Sequence, residues 1–521
     1  MSTYIFAIGG SGARVLRSLT MLLASGAHNT AVNEEIVVSV IDYDTTNGDT
    51  TRTQTLMELY HGIHGKAYKR TDTSDDKTPI KEHFFCTPLL MLRDKADITQ
   101  QAVFNPNAKY NLYLDTATTH STFAQYIGYS QLNVAQGNYE TRQLLESLYA
   151  TDPEYIPGTT DDNPKAELNM NLHKGFRGCP NLGCIVTQQL QTSRELNLAV
   201  NSLIQPTDRI IIIGSVFGGT GASGIPMFLD YLNSRPNTAA AKKAVIAIMP
   251  YFSLTPPDAN SSISSDTFIA KAKAAIGAYD GTVNNQAQCF YYVGDESSNA
   301  YSNFDGDANQ RNDAHYVELV AGMCVLDFIT QNNNGAYECG VKDWQNAGLN
   351  YNTFFRDETQ IKYLDPILRF KLFSAFWKNC VFVGNSNDNW YIGNSTKGAT
   401  AIGDSQCNAY RSDVNKFIVE FDAWIKELSD PNTHRPLILC NATSDYKDVW
   451  SHIKIERRNR VLRNWTLDDN DFKQNMTNSY NRLSVHMGEG IVNRPEYLFW
   501  RGAHDTMVEI ENILKEKQVI Q

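Results

Sequence analysis

Two clusters of glycine and hydroxyl residues have a composition that could do chemistry. Residues 214–226 read GSVFGGTGASGIP, directly after DRIIII, and residues 9–12 read Gly-Gly-Ser-Gly, directly after YIFAI. Each cluster follows an apolar run and precedes a helical pattern. Glycine lacks a Cβ, so successive backbone N–H groups can face an anion, and the N-terminus of the following helix adds partial positive charge. Thr220 and Ser223 add hydroxyl donors. One such loop alone is equally a tight strand-to-helix turn. Two of them, from separate strand ends, suggest a single polyphosphate gripped from both sides. Gly9, Gly10, Ser11 and Gly12 would lie on one side, and Gly218, Gly219, Thr220, Gly221 and Ser223 on the other.

Known phosphate-loop patterns narrow the reading. The G-x-x-x-x-G-K-[ST] loop is absent, because no lysine follows these glycines. The dinucleotide fingerprint G-x-G-x-x-G begins at Gly10-Ser11-Gly12, but Val15 stands where the third glycine belongs. Asp42, acidic and at the end of the next strand pattern, keeps a Rossmann-type dinucleotide-binding enzyme as an alternative.

The elements that must position these loops are legible as patterns. YIFAI, EIVVSVI, RIIII, KAVIAI and CFYYV are continuous apolar runs, the pattern of parallel strands covered on both faces. ARVLRSLTMLLASG carries apolar residues at helical spacing, so strand, glycine turn, helix and strand open a doubly wound α/β fold. NDAHYVELVAGMCVLDFI is apolar all round, which suits a buried helix. Its His315 and Glu318 stand i,i+3 and are expected to pair with each other. Residues 45–170 are polar and loop-rich and read as insertions with some helix, TRQLLESLYA among it. Beyond about residue 380 strand signals are sparse, and FIVEFDAWIKEL and YLFWRGAHDTMVEIENILKEK read as amphipathic helices.

The order of these segments carries a resemblance. FGGTGASG resembles the signature of the tubulin/FtsZ superfamily, in which a G-G-G-T-G-[ST]-G loop binds the phosphates of GTP. Here Phe217 replaces the first glycine, and Ala222 is an extra residue before Ser-Gly. AIGGSGARVLRSL is similar to the family's first phosphate loop and helix. VIDYDTT sets Asp42 and Asp44 where its second strand ends near the nucleotide. GFRGCPNLG resembles the loop that closes over the γ-phosphate, with Gly178 and Pro180 in matching places. The likeness is collinear over about residues 1–330. It implies a bacterial, FtsZ-like nucleotide-binding domain, a parallel sheet flanked by helices, at 1–311. A long central helix at 312–330 and a divergent, mostly helical C-terminal domain at 331–521 would follow.

The resemblance further implies GTP or GDP as ligand, with Mg2+ held through the phosphates. It implies head-to-tail self-association into a filament or other homo-oligomer, and a GTPase site completed across the subunit contact. Asp258 or Asn260 would meet the ribose, and Asn312 and Asp313 the guanine. The family's paired catalytic carboxylates have no clean counterpart; the nearest are Asp357, Glu358 and Asp365. Asp365 precedes Pro366 and reads equally as a helix N-cap. The missing motif makes a non-hydrolysing scaffold or sensor, with a protein partner on the C-terminal helices, an alternative.

Bulk composition excludes some classes. The 521-residue chain has a net charge of −11, against a general affinity for nucleic acid or anionic membrane. Its nine cysteines are odd in number, scattered and without a C-x-x-C, so reduced thiols are expected and no metal centre. Neither a signal-peptide pattern nor an apolar run of transmembrane length occurs, and a cytoplasmic location is expected.

Overall fold

In a computed structural model, the five apolar runs become strands of a parallel sheet that has seven strands among the described residues. The structure describes residues 1–27, 34–44, 46–68, 83–112, 121–132, 137–149, 156, 166–256, 263–282, 286–295, 300–304, 306, 308–331, 335–339, 349–350, 358–377, 407–430, 437–438 and 495–516. The strands are β1 (Ser2–Ile8), β2 (Glu35–Ile41), β3 (Leu89–Met91), β4 (Arg209–Ser215), β5 (Lys242–Ile248), β6 (Cys289–Val293) and β7 (Gly335–Cys339). Their order is β3-β2-β1-β4-β5-β6-β7, with every pairing parallel. All seven residues of β1 and of β4 are buried, as expected for strands covered on both faces.

The order runs outward in both directions from β1 and β4. The chain therefore leaves those two strands toward opposite faces, and a crevice opens at their C-terminal ends. Ile8 pairs with Gly214, so the two glycine loops start side by side.

Among the described residues, eight longer helices flank the sheet or pack on those that do: α1 (Gly9–Ala24), α2 (Gly48–Ala67), α3 (Gly219–Asn233), α4 (Phe268–Thr282), α5 (Tyr316–Gln331), α6 (Glu358–Phe376), α7 (Asn408–Leu428) and α8 (Pro495–Glu516). The Asn47 side chain caps α2, accepting from the N–H groups of Asp49 and Thr50. Helix α3 contains Pro226, whose ring nitrogen cannot donate to the carbonyl of Ala222 four residues back. The Tyr279 hydroxyl of α4 donates to that carbonyl instead, at 2.7 Å, so the proline is accommodated without an orphaned acceptor.

Several expectations are corrected here. Residues 45–170, expected as insertions, supply α2 and the sheet strand β3. The central helix begins at Tyr316 rather than residue 312. Gly335–Cys339, expected in the C-terminal domain, returns to the sheet as β7, beside β6. Asp365 and Pro366 lie inside α6, not at its start.

The C-terminal helices pack on the first two helices and share their hydrophobic core. Glu427 of α7 accepts from Arg17 of α1 (2.6 Å), Arg52 of α2 (2.5 Å) and the Ala314 N–H (2.9 Å). These contacts hold Glu427 below the ordinary carboxylate range despite its burial. Trp424 donates to Ser18 at 3.3 Å, and Tyr410 to the Ile63 carbonyl at 3.2 Å. Among the described residues no helix is long and apolar enough to cross a membrane.

Candidate functional site

The two glycine loops meet over the C-terminal ends of β1 and β4. Gly9 has φ 75°, a left-handed conformation that glycine adopts without strain. A Cβ built on it would stand 3.3 Å from the Thr220 Cβ, so the loops touch. Together they line part of an open cleft.

Packing explains some of these glycines and not others. A Cβ on Gly12 would stand 2.9 Å from the Ile213 carbonyl oxygen. One on Gly219 would stand 2.7 Å from the Phe176 Cβ, and one on Gly221 2.6 Å from the Ser215 nitrogen. These positions need glycine whatever the cleft binds. Gly10 differs: its nearest obstacle would be the Asn47 amide nitrogen at 3.9 Å, and its φ is not left-handed. The space beside Gly10 belongs to the cleft.

Residues 174–178 also line the cleft, beside the second glycine loop: a Cβ on Gly175 would stand 3.8 Å from the Thr220 hydroxyl oxygen. Gly175 (φ 72°), Arg177 (φ 44°) and Gly178 (φ 76°) all have positive φ, which costs about 1–2 kcal/mol at the non-glycine position. Lys271 of α4 pins this loop by donating to the Gly178 carbonyl at 2.6 Å. The fold of the loop brings Lys174 and a buried Arg177 to the cleft. Lys174 and Arg177 thus line the same cleft as the two glycine loops, a combination of cationic groups and backbone N–H donors that can attract an anion. Neither cation was among the residues singled out above, although both stand in the run KGFRG.

Two carboxylates close the end of the cleft beyond β2. Asp42 accepts from the Asp44 N–H at 3.2 Å, and Asp44 accepts from the Thr46 N–H and hydroxyl at 3.1 and 3.0 Å. Burial first, and then the neighbouring Asp44 charge, push Asp42 up to about 7. A third side of the cleft is aromatic. Phe217 packs on Phe268 (4.9 Å between ring centroids) and Phe252 (5.6 Å), and Phe304 joins the lining. Phe217 is thus part of an apolar wall against which a planar ring could stack.

The cleft gathers Gly9, Gly10, Ser11, Asp42, Asp44, Gly178, Gly218, Gly219, Thr220, Gly221 and Asn312 from the expected set. Asn312 lines it, but its backbone N–H and side-chain amide donate to the Asp49 carboxylate at 2.9 and 3.2 Å. Gly12 and Ser223 fall outside the lining. The Ser223 hydroxyl is buried and donates back to the Gly219 carbonyl at 2.7 Å, within its own helix. Asp313 also falls outside: burial and then Glu427 and Asp430 raise its carboxyl, which places it toward α7. Glu318 takes Arg14 as its charge partner at 2.5 Å, with the Tyr251 hydroxyl donating to it at 2.8 Å. His315 reaches Glu318 through its backbone N–H, at 3.2 Å, rather than by the expected pairing of side chains. Asp258, Asn260 and Asp357 lie outside the described residues, as does the side chain of Glu358. Asp365 is described, half-buried in α6, and does not line the cleft.

Comparison with protein-family models, with curated proteins and with solved structures finds no match.

Proposed function

We propose that this chain is a tubulin/FtsZ-like protein that binds GTP in the cleft between its two glycine loops. The observation that carries the reading is the meeting of those loops at adjacent strand ends, with open space beside Gly10. A triphosphate there would receive N–H donors from the starts of α1 and α3 and the Thr220 hydroxyl. Lys174 and Arg177 would offset its charge. The base would stack on the Phe252–Phe268 side. The guanine preference rests on the resemblance alone.

Mg2+ fits the donor set. Asp42 and Asp44 are the carboxylates that would face a cation carried on the phosphates, and a cation there would relieve the repulsion that raises Asp42. When bound, Mg2+ would neutralise charge developing on the phosphoryl oxygens.

In this reading the hydrolytic carboxylate comes from a second copy, with Asp357, Glu358 and Asp365 as its candidates. A water-positioning group supplied in trans makes turnover depend on assembly. Phosphate release per chain should then rise with protein concentration. Turnover per chain that stays constant over a wide concentration range would refute the shared site. A second reading, a non-hydrolysing scaffold, is favoured by one observation: among the described residues, Asp42 and Asp44 are the carboxylates lining the cleft, and Asp42 is pushed toward its neutral form. Bound GTP extracted intact, with no phosphate released at any concentration, would select it.

A further inference from the structure

A second cluster of chemically competent side chains lies outside the cleft lining. His83, His504 and Asp505 bring one possible ligand atom each to within 4.8 Å of one another. The two Nδ1 atoms are 3.3 Å apart, and His504 Nδ1 is 3.9 Å from Asp505 Oδ1. A zinc ion about 2.0–2.1 Å from each nitrogen holds tetrahedral ligands roughly 3.4 Å apart. The imidazole pair already spans that edge, and a small turn of the Asp505 side chain would complete a face. Without a metal the same contact is a hydrogen bond between the two rings, at the long end of the usual range.

The surroundings fit a metal centre that ties two parts of the chain together. His504 is buried and held edge-on to Phe84, with centroids 5.2 Å apart. The planes of His83 and His504 cross at 74°. His83 and Asp505 are half-buried, which leaves a way in. Arg501 lies near His83 and its charge opposes a cation, but it donates to the Tyr497 hydroxyl at 3.3 Å.

We propose that His83, His504 and Asp505 form a binding site for a divalent transition metal of the zinc class, linking α8 to the segment that leads into β3. Two imidazoles and one carboxylate are a donor set that suits zinc, and three protein ligands leave a fourth position for water. The metal acts as a staple between the C-terminal helix and the sheet.

The test uses the full chain, stripped with a chelator and titrated with Zn2+ by calorimetry, with metal content measured after gel filtration. One Zn2+ per chain is expected, together with a thermal midpoint that rises on loading. His83→Gln and Asp505→Asn, both at half-buried positions, should each lose more affinity than the roughly 10- to 100-fold that removal of a mere supporting group costs. They should also lose the rise in midpoint. Loading with Co2+ should give a visible spectrum of nitrogen and oxygen ligands without a thiolate charge-transfer band. The absence of stoichiometric metal would overturn the site. So would undiminished affinity in both variants, or a thiolate band, which would put the metal on cysteines.

Discussion

Replacing Gly10 with alanine separates what the first loop does for the fold from what it does for a ligand. Gly10 stands in the first turn of α1, in a backbone conformation open to any residue. Its added methyl meets nothing closer than the Asn47 amide at 3.9 Å, so the fold gives no steric penalty. Alanine is preferred over glycine in helices by up to about 1 kcal/mol, and it also restricts the unfolded chain. Gly10→Ala should therefore raise stability by roughly 0.5–1 kcal/mol. The same methyl enters the cleft where a phosphate would approach the backbone. If it displaces one or two charge-assisted hydrogen bonds worth about 1.5–3 kcal/mol each, GTP affinity falls at least tenfold. Urea denaturation gives the first quantity and calorimetric titration the second. Gly221→Ala is the control, because its methyl strikes the Ser215 backbone and must destabilise. Gly10→Ala that binds GTP as tightly as the parent chain would show that the loop is only a turn.

Arg177→Gly and Arg177→Ala remove the same charge and differ in the backbone at φ 44°. Both should weaken GTP binding about 10- to 100-fold, while the glycine variant is the more stable by about 1 kcal/mol; equal stabilities would refute the backbone argument. Asp42 has its pKa raised from 3.8 to about 7, so the folded chain keeps a proton that the unfolded chain releases. The stability this contributes is full below the unfolded value and is lost as pH rises through the folded one, a total on the order of 4 kcal/mol. Asp42→Asn removes it, so the variant should gain on the parent chain between about pH 4 and 7 in denaturation curves; a constant difference would contradict the burial argument. Tyr279→Phe leaves the Ala222 carbonyl without its donor beside Pro226, and should cost about 1–3 kcal/mol of stability by the same assay.

Five of the seven strands were legible because they are continuous apolar runs, and three of these, β1, β4 and β6, run into glycine. β3, only three residues long, gives no such signal, and α2 carries too little apolar periodicity to stand out from a polar stretch. Both are held by tertiary contacts: Tyr60 of α2 donates to the Thr87 carbonyl at 2.7 Å, and β3 is held by its pairing with β2. At the candidate site, glycine content singled out both loops, and both line one cleft. It could not say which glycines serve packing, because that depends on Ser215, Phe176 and Ile213 from other segments. Lys174 and Arg177 escaped notice because nothing in KGFRG announces a positive φ at an arginine. Asp313 and Ser223 carried suitable groups in suitable places along the chain, yet their partners turn them elsewhere.

The most direct test of the central claim is calorimetric titration of GTP into the nucleotide-free full chain, beside the double variant Gly10→Ala with Thr220→Val, whose added methyl at Gly10 meets no close neighbour. The account expects one site per chain in the parent protein, with GTP bound more tightly than GMP, and no measurable binding in the correctly folded double variant. GTP that fails to bind the parent chain, or binds parent and variant alike, would contradict it.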